Sequence, residues 1–439
     1  MKKYPTISIA KPDVLLPKKD IDMHKWAVIA CDQFTSEPEY WEDVKNIVGD
    51  APSTLNLILP EVYLGKPGQD DIVKTTQENM QKYLNNGLLV EHEGFILVER
   101  TVDGKTRHGI MLALDLEAYD FNVGSQSLIR ATEGTVLDRL PPRIKIRENA
   151  SLELPHILVL IDDPECTVIE PVVAKQDELK KIYDFELMKN SGHLKGYAIE
   201  NENLEQQMIA ALEKLADPQS FYKKYDVPQS LGVLLFAMGD GNHSLATAKS
   251  IWESIKDKVG MEHPARFALI ELENVHSSGL EFEPIHRVLF SVKEDFVKAL
   301  ASEFGNNVQI KECEDFQEVK QGVYAQNFEG HTVGFVNNNT FALLQFSNPD
   351  SNLPVGTIQP FLDRWVKAGK VDEIDYVHGE DVVLRLGQKE NNLGLLLPPM
   401  PKSDLFKTVI LDGALPRKTF SMGEAHEKRF YLECRKIKE

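Results

Sequence analysis

Apolar positions along the chain fall into two rhythms, and each predicts a different element. Alternating or continuous short apolar runs predict strands over 54–60, 157–161, 167–173, 231–238, 381–386, 393–397 and 429–434. Apolar residues three and four apart predict helices over 71–85, 177–189, 203–216, 245–256, 292–304 and 360–368. Two hairpins stand out. Runs 94–100 and 108–116 meet across Val102-Asp103-Gly104-Lys105, where Asp-Gly favours a tight turn. Runs 330–336 and 340–346 meet across Asn337-Asn338-Asn339. Strands and helices interleave throughout, so the fold class is α/β with mixed α+β character. Three parts are expected: an N-terminal α/β part over 1–175, a middle part over 176–290 and a C-terminal α+β unit over 291–439.

Composition narrows the function classes. The chain has 439 residues, 42% of them hydrophobic and 27% charged, which suits a globular protein with a large core. Its formal net charge of −19 repels phosphate backbones and anionic lipid, so neither nucleic-acid nor membrane binding is expected. No run approaches the roughly twenty apolar residues of a membrane span. Cys31, Cys166, Cys313 and Cys434 are scattered without a C-x-x-C pair, which suits a reducing, cytoplasmic compartment.

The chemistry concentrates after the 231–238 run. There Gly239-Asp240-Gly241-Asn242-His243-Ser244 leads into the 245–256 helix. A strand delivering a Gly-rich turn to a helix start presents free amides and a partial positive charge, which favour phosphate or carboxylate. Gly241, Asn242 and Ser244 are expected to cradle the anion, with Ser244 also able to cap the helix through its hydroxyl. Asp240 and His243 can accept or deliver a proton, or Asp240 can hold a metal. Asp-Gly-Asn is also ordinary turn chemistry, and Ser an ordinary helix cap, which is the blander reading. A second candidate spans Arg130 to Arg139, where Glu133 could act as base and Arg130, Thr135 and Arg139 could bind an anion; a solvated loop is the blander reading. Asn274, His286, Arg287 and Lys402 supply further polar or cationic groups. The spacing matches no P-loop, dinucleotide, zincin or G-x-S-x-G pattern.

Taken in order, these segments resemble the bacterial and archaeal family catalogued as domain of unknown function 1015. The family's central motif looks like Asp-Gly-His-His-Arg; here Asn242 stands for one His and Ser244 for the Arg. Its Glu-x-Thr element commonly follows a His, whereas Thr132 precedes Glu133 here. The motif is similar to the turn of the ParB/sulfiredoxin superfamily, which includes free serine kinases. That resemblance implies a ParB/sulfiredoxin-like mixed-sheet core. It also implies ATP or ADP with Mg²⁺ as cofactor, and phosphoryl transfer to a small hydroxylated metabolite such as an amino acid. Glu133, Asp240 and His243 would be catalytic. A binding module without turnover is the alternative. A ParB-like nucleic-acid protein is third and is opposed by the acidic charge.

Overall fold

The computed structural model describes residues 1–134, 140–325 and 327–438. The chain divides into two units, one formed by residues 1–281 and 423–439, the other by 282–422. The chain runs through position 175 inside one unit, and its last 17 residues return to the first unit.

The first unit is built on an eleven-stranded mixed sheet. Its main path orders Lys180–Glu186, His193–Ile199, Phe95–Val102, Lys105–Asp115, Phe267–Asn274, Leu158–Ile161, Phe236–Asp240, Ile129–Arg130 and Tyr119–Asp120. The hairpin across Asp103-Gly104 forms as predicted, with Val102 opposite Lys105. Asp103 and Gly104 both take positive φ, at 49° and 76°, the conformation a two-residue hairpin turn demands. Alternation along these strands sends Phe95, Leu97, Ile110 and Leu112 to one face and Ile96, Val98 and Met111 to the other, as period-two geometry requires. The first face is covered by the Glu202–Leu215 and Asn242–Val259 helices through Leu204, Met208, Leu212, Leu245 and Trp252. Phe430, Tyr431 and Leu432 of the returning C-terminal segment join the core on the second face.

The second unit holds a six-stranded sheet, ordered Val308–Cys313, Thr340–Phe346, His331–Asn337, Leu393–Leu396, His286–Phe290 and Glu373–Val377, with every pair antiparallel. The 330–346 hairpin forms as predicted, with Asn337 opposite Thr340.

Four elements differ in type from the sequence expectation. The 177–189 stretch is a strand, Lys180–Glu186, because pairing with His193–Ile199 supplies its backbone partners and tertiary pairing overrides a weak helical pattern. The 167–173 run contains a short helix, Glu170–Val173. Residues 381–386 lie in the Glu380–Gly387 helix, which seats Val383 and Gly387 against Gly394. Residues 54–57 form a 3₁₀ turn opened by Ser53, whose hydroxyl accepts the Leu55 N–H. The expected 292–304 helix begins later, at Phe296, where the Asp295 side chain accepts from the Lys298 N–H. The 360–368 helix begins earlier, at Pro354, and carries Pro360 inside it.

Candidate functional site

The Phe236–Asp240 strand passes through one residue, Gly241, into the Asn242–Val259 helix. Gly241 has φ +80°, and a Cβ built on it would lie 3.0 Å from Ile157 Cγ1. Both facts restrict the position to glycine. The helix therefore starts at Asn242, three residues ahead of the expected start, and its N-cap is Gly241 with no capping side chain. Ser244 is thus not the cap, a correction to the sequence reading. It sits in the first turn, and its hydroxyl lies 3.2 Å from His156 Nε2. Among the described residues no side chain caps the helix mouth, and its first amides keep their partial positive charge.

Asp240 accepts the Gly241 N–H on Oδ1 at 2.8 Å and receives Lys428 Nζ on Oδ2 at 3.2 Å. Burial pushes its carboxyl up, but the charge of Lys428 and the Gly241 N–H outweigh that and hold it below the usual carboxylate range. The side chain is 25% exposed, so water screens part of this attraction. Asn242 Oδ1 accepts the Thr132 N–H at 3.3 Å, and Thr132 Oγ1 donates to the Met238 carbonyl at 2.8 Å. These bonds tie the segment carrying the half-buried Glu133 to the turn. His243 is half-buried in the first helical turn, where its carbonyl accepts from Thr247 Oγ1 at 2.7 Å. Thr135 and Arg139 lie outside the described residues.

Several residues at the turn were not singled out by the sequence. His156 precedes the Leu158–Ile161 strand, and its Nδ1 lies 2.7 Å from the Tyr431 hydroxyl. That hydroxyl donates to Cys31 Sγ at 3.1 Å and accepts the Cys31 N–H at 3.3 Å. Burial, with Cys31 and Asp32 beside it, pushes the Tyr431 phenol well above its ordinary value. Asp32 Oδ2 lies 4.0 Å from His156 Nε2. His156, Ser244, Tyr431 and Cys31 border a cleft of about 140 Å³ whose other walls include Leu57, Ile58, Met80 and Leu154. Asp32, His156 and Lys428 to Tyr431 come from three distant stretches, each ordinary in isolation, so no local pattern marks them.

Other expected site residues have structural partners instead. Arg130 is buried, and its guanidinium donates to the Ser127 and Leu231 carbonyls at 2.8 and 2.7 Å. Burial lowers its pKa to about 10. It braces two loops, and both bonds go to backbone rather than to an anion site. Asn274 pairs with Ile161, while Asp240 pairs with Leu158. That places Asn274 at the opposite end of the Leu158–Ile161 strand, where its amide donates to the Asp163 carbonyl and Glu170 Oε1. His286, Arg287 and Lys402 belong to the second unit. His286 accepts the Leu397 N–H at 3.1 Å, and burial pushes it down to about 4. Arg287 is fully buried, donating to Gln359 Oε1 and the Ile285, Lys418 and Arg417 carbonyls. Lys402 is half-exposed just ahead of the Asp404–Asp412 helix.

Among the described residues no group of three or more His, Cys, Asp or Glu is arranged to hold a metal, and no helix is long and apolar enough to cross a membrane. All four cysteines are free.

The chain belongs to the family described as Protein of unknown function (DUF1015), which matches residues 15–365. Solved structures that it resembles include a free serine kinase in complex with AMP, at 12% identity and TM-score 0.37, covering 75% of this chain and 91% of that one. A mutant free serine kinase in complex with ADP matches at 10% identity and TM-score 0.38, covering 75% and 92%. A conserved hypothetical protein from Pyrococcus furiosus matches at 9% identity and TM-score 0.36, covering 75% and 95%. No curated protein matches the chain.

Proposed function

We propose that this member of the DUF1015 family binds the phosphates of a nucleotide at the Asp240–Asn242 turn and transfers a phosphoryl group to a small hydroxylated metabolite. The observation that carries the reading is the Asp240–Lys428 pair, 3.2 Å apart, at the mouth of a helix with no capping side chain. The first-turn amides and the Lys428 ammonium both favour phosphate oxygens. Asp240 holds Lys428 in place and stays ionised across the physiological range. Glu133, drawn to the turn through the Thr132–Asn242 bond, is the carboxylate assigned to take the acceptor's hydroxyl proton. His243 is the second candidate for that step.

Magnesium usually reaches such sites through one or two carboxylates together with the substrate's phosphates. The ionised Asp240 fits that role better than it would fit an all-protein cage. A bound Mg²⁺ would supply neutralisation of phosphate charge.

Thermal shift with ATP, ADP and CTP, each with Mg²⁺, tests the reading. A rise in melting temperature with at least one of them, lost in Asp240→Asn, is expected. No shift with any of the three overturns it. A shift without phosphate transfer to any member of a panel of hydroxylated metabolites would reduce the activity to nucleotide binding.

A further inference from the structure

We propose that Ser244, His156 and Tyr431 form a nucleophile relay that gives the first unit an acyl-ester hydrolase activity, separate from phosphoryl transfer. The relay requires the one Tyr431 hydroxyl proton to lie in the bond to Cys31 Sγ at 3.1 Å rather than in the 2.7 Å contact with His156 Nδ1. The phenol oxygen then accepts from His156 Nδ1, 2.7 Å away. With that proton on Nδ1, His156 Nε2 carries a lone pair, and it faces the Ser244 hydroxyl at 3.2 Å. In that tautomer the donors run in one direction, Ser244 to His156 to Tyr431 to Cys31. This is the arrangement that raises the nucleophilicity of a serine: a base in reach of the hydroxyl and a third group that fixes the base's tautomer. His156 is 7% exposed, so the base is shielded from bulk water. Its ring stands edge-on to that of Tyr431, at 87°.

The surroundings select the substrate class. Ser244 lies in the first turn of a helix without a capping side chain, where developing negative charge is favoured. The cleft it shares with His156 is walled largely by apolar side chains, among them Leu57, Ile58, Met80 and Leu154. An apolar acyl group fits such a wall, and a volume of about 140 Å³ limits it to a short chain.

In the reaction Ser244 Oγ bonds to the ester carbonyl carbon as its proton passes to His156 Nε2. The tetrahedral adduct then breaks its bond to the alkoxy oxygen, which leaves with the electron pair and takes the proton from His156. Water next attacks the seryl ester and gives its proton to His156. Cleavage of the bond to Oγ releases the carboxylic acid, and His156 returns the proton to Ser244. His156 and Ser244 are the catalytic residues, and Tyr431 is a positioning residue.

The test uses the full-length protein with p-nitrophenyl butyrate as substrate and a fluorophosphonate as covalent probe. Expected results are hydrolysis above the buffer rate and a single adduct mapped by peptide mass spectrometry to Ser244. Ser244→Ala should lose at least 100-fold in kcat/KM. Tyr431→Phe should lower kcat and shift the acid limb of the pH–rate profile, which a merely structural tyrosine would not do. An adduct on another residue, or no adduct and no hydrolysis by the wild-type protein, overturns the proposal without recourse to any variant.

Discussion

Arg429 Nη1 donates to the carbonyl of Pro155 at 2.6 Å, joining the residue before His156 to the segment that carries Lys428 and Tyr431. The same guanidinium binds Glu271 Oε2 and Glu433 Oε2, each at 2.7 Å, and all three side chains are nearly excluded from water. Burial works against the Arg429 charge, but the two carboxylates overcome it and hold the pKa above its ordinary value. Removing one member of such a cluster leaves buried charge without its counterpart. Arg429→Met is therefore expected to cost about 3–5 kcal/mol, read as a lower urea midpoint at unchanged slope.

Lys428 tests the turn itself. Without its ammonium, burial would act on Asp240 with less opposition. A carboxyl held low contributes stability above its unfolded pKa and loses it as pH falls through the folded value. Lys428→Met should therefore narrow the stability difference between pH 7 and pH 3. Because the Asp240 side chain is partly exposed, screening limits the cost at pH 7 to about 1 kcal/mol. Nucleotide affinity should fall by a larger factor, about tenfold or more, since one charge-assisted contact to phosphate is lost. Titration calorimetry and urea melts at the two pH values separate the two effects.

The turn was legible in the sequence because its geometry is local. Glycine at a positive φ, a strand before and a helix after all leave marks within ten residues. The exact helix start was not legible, because it depends on Gly241 packing against Ile157. Arg130 and Arg287 read as anion binders because a guanidinium looks the same whether it faces a phosphate or a ring of carbonyls. Only tertiary placement separates the two. His156 and Tyr431 stand 275 positions apart, and their meeting is a product of the C-terminal segment joining the first unit. The 177–189 and 381–386 stretches were misread for a related reason: strand pairing in one and a glycine contact in the other decided the element.

Glu273 carries a pH prediction. It is fully buried, among the described residues neither of its oxygens accepts a hydrogen bond, and Arg107 Nε lies 3.3 Å away. Burial, reinforced by Glu271, outweighs the nearby arginines and lifts the carboxyl to about 7 from an ordinary 4.5. Between those values the folded state keeps a proton that the unfolded state has lost. The Glu273 contribution to stability should therefore fall as pH rises from 4.5 to 7 and level off above 7, opposed below about 6.5 by His286, whose depressed value makes its own contribution rise with pH. Asp240 and Glu205 are both held low, so they titrate below this window and do not mask it. Glu273→Gln should remove that component of the slope in urea melts between pH 4.5 and 8. An unchanged slope would mean that Arg107 keeps the carboxylate ionised throughout.

Gly241 and Gly260 bracket one helix, both at positive φ (+80° and +81°), but ψ is 24° at Gly241 and 167° at Gly260. A Cβ at Gly260 meets open space, whereas at Gly241 it meets Ile157 Cγ1 at 3.0 Å and Ile157 Cα at 3.1 Å. Alanine is strained at either site: Gly241 is left-handed helical, a cost of about 1–2 kcal/mol, and Gly260 lies in an extended positive-φ region that is nearly glycine-only, a cost of about 1–3 kcal/mol. Only at Gly241 must a neighbour also move. That neighbour is next in sequence to His156, so displacement at Ile157 passes directly to the imidazole facing Ser244. Gly260→Ala is expected to lower stability and leave ester hydrolysis per folded molecule unchanged. Gly241→Ala should lower stability and also reduce kcat/KM by at least tenfold. Equal kinetic parameters in the two variants would show that the turn tolerates the contact and that His156 is held by Tyr431 and the Arg429–Pro155 bond alone.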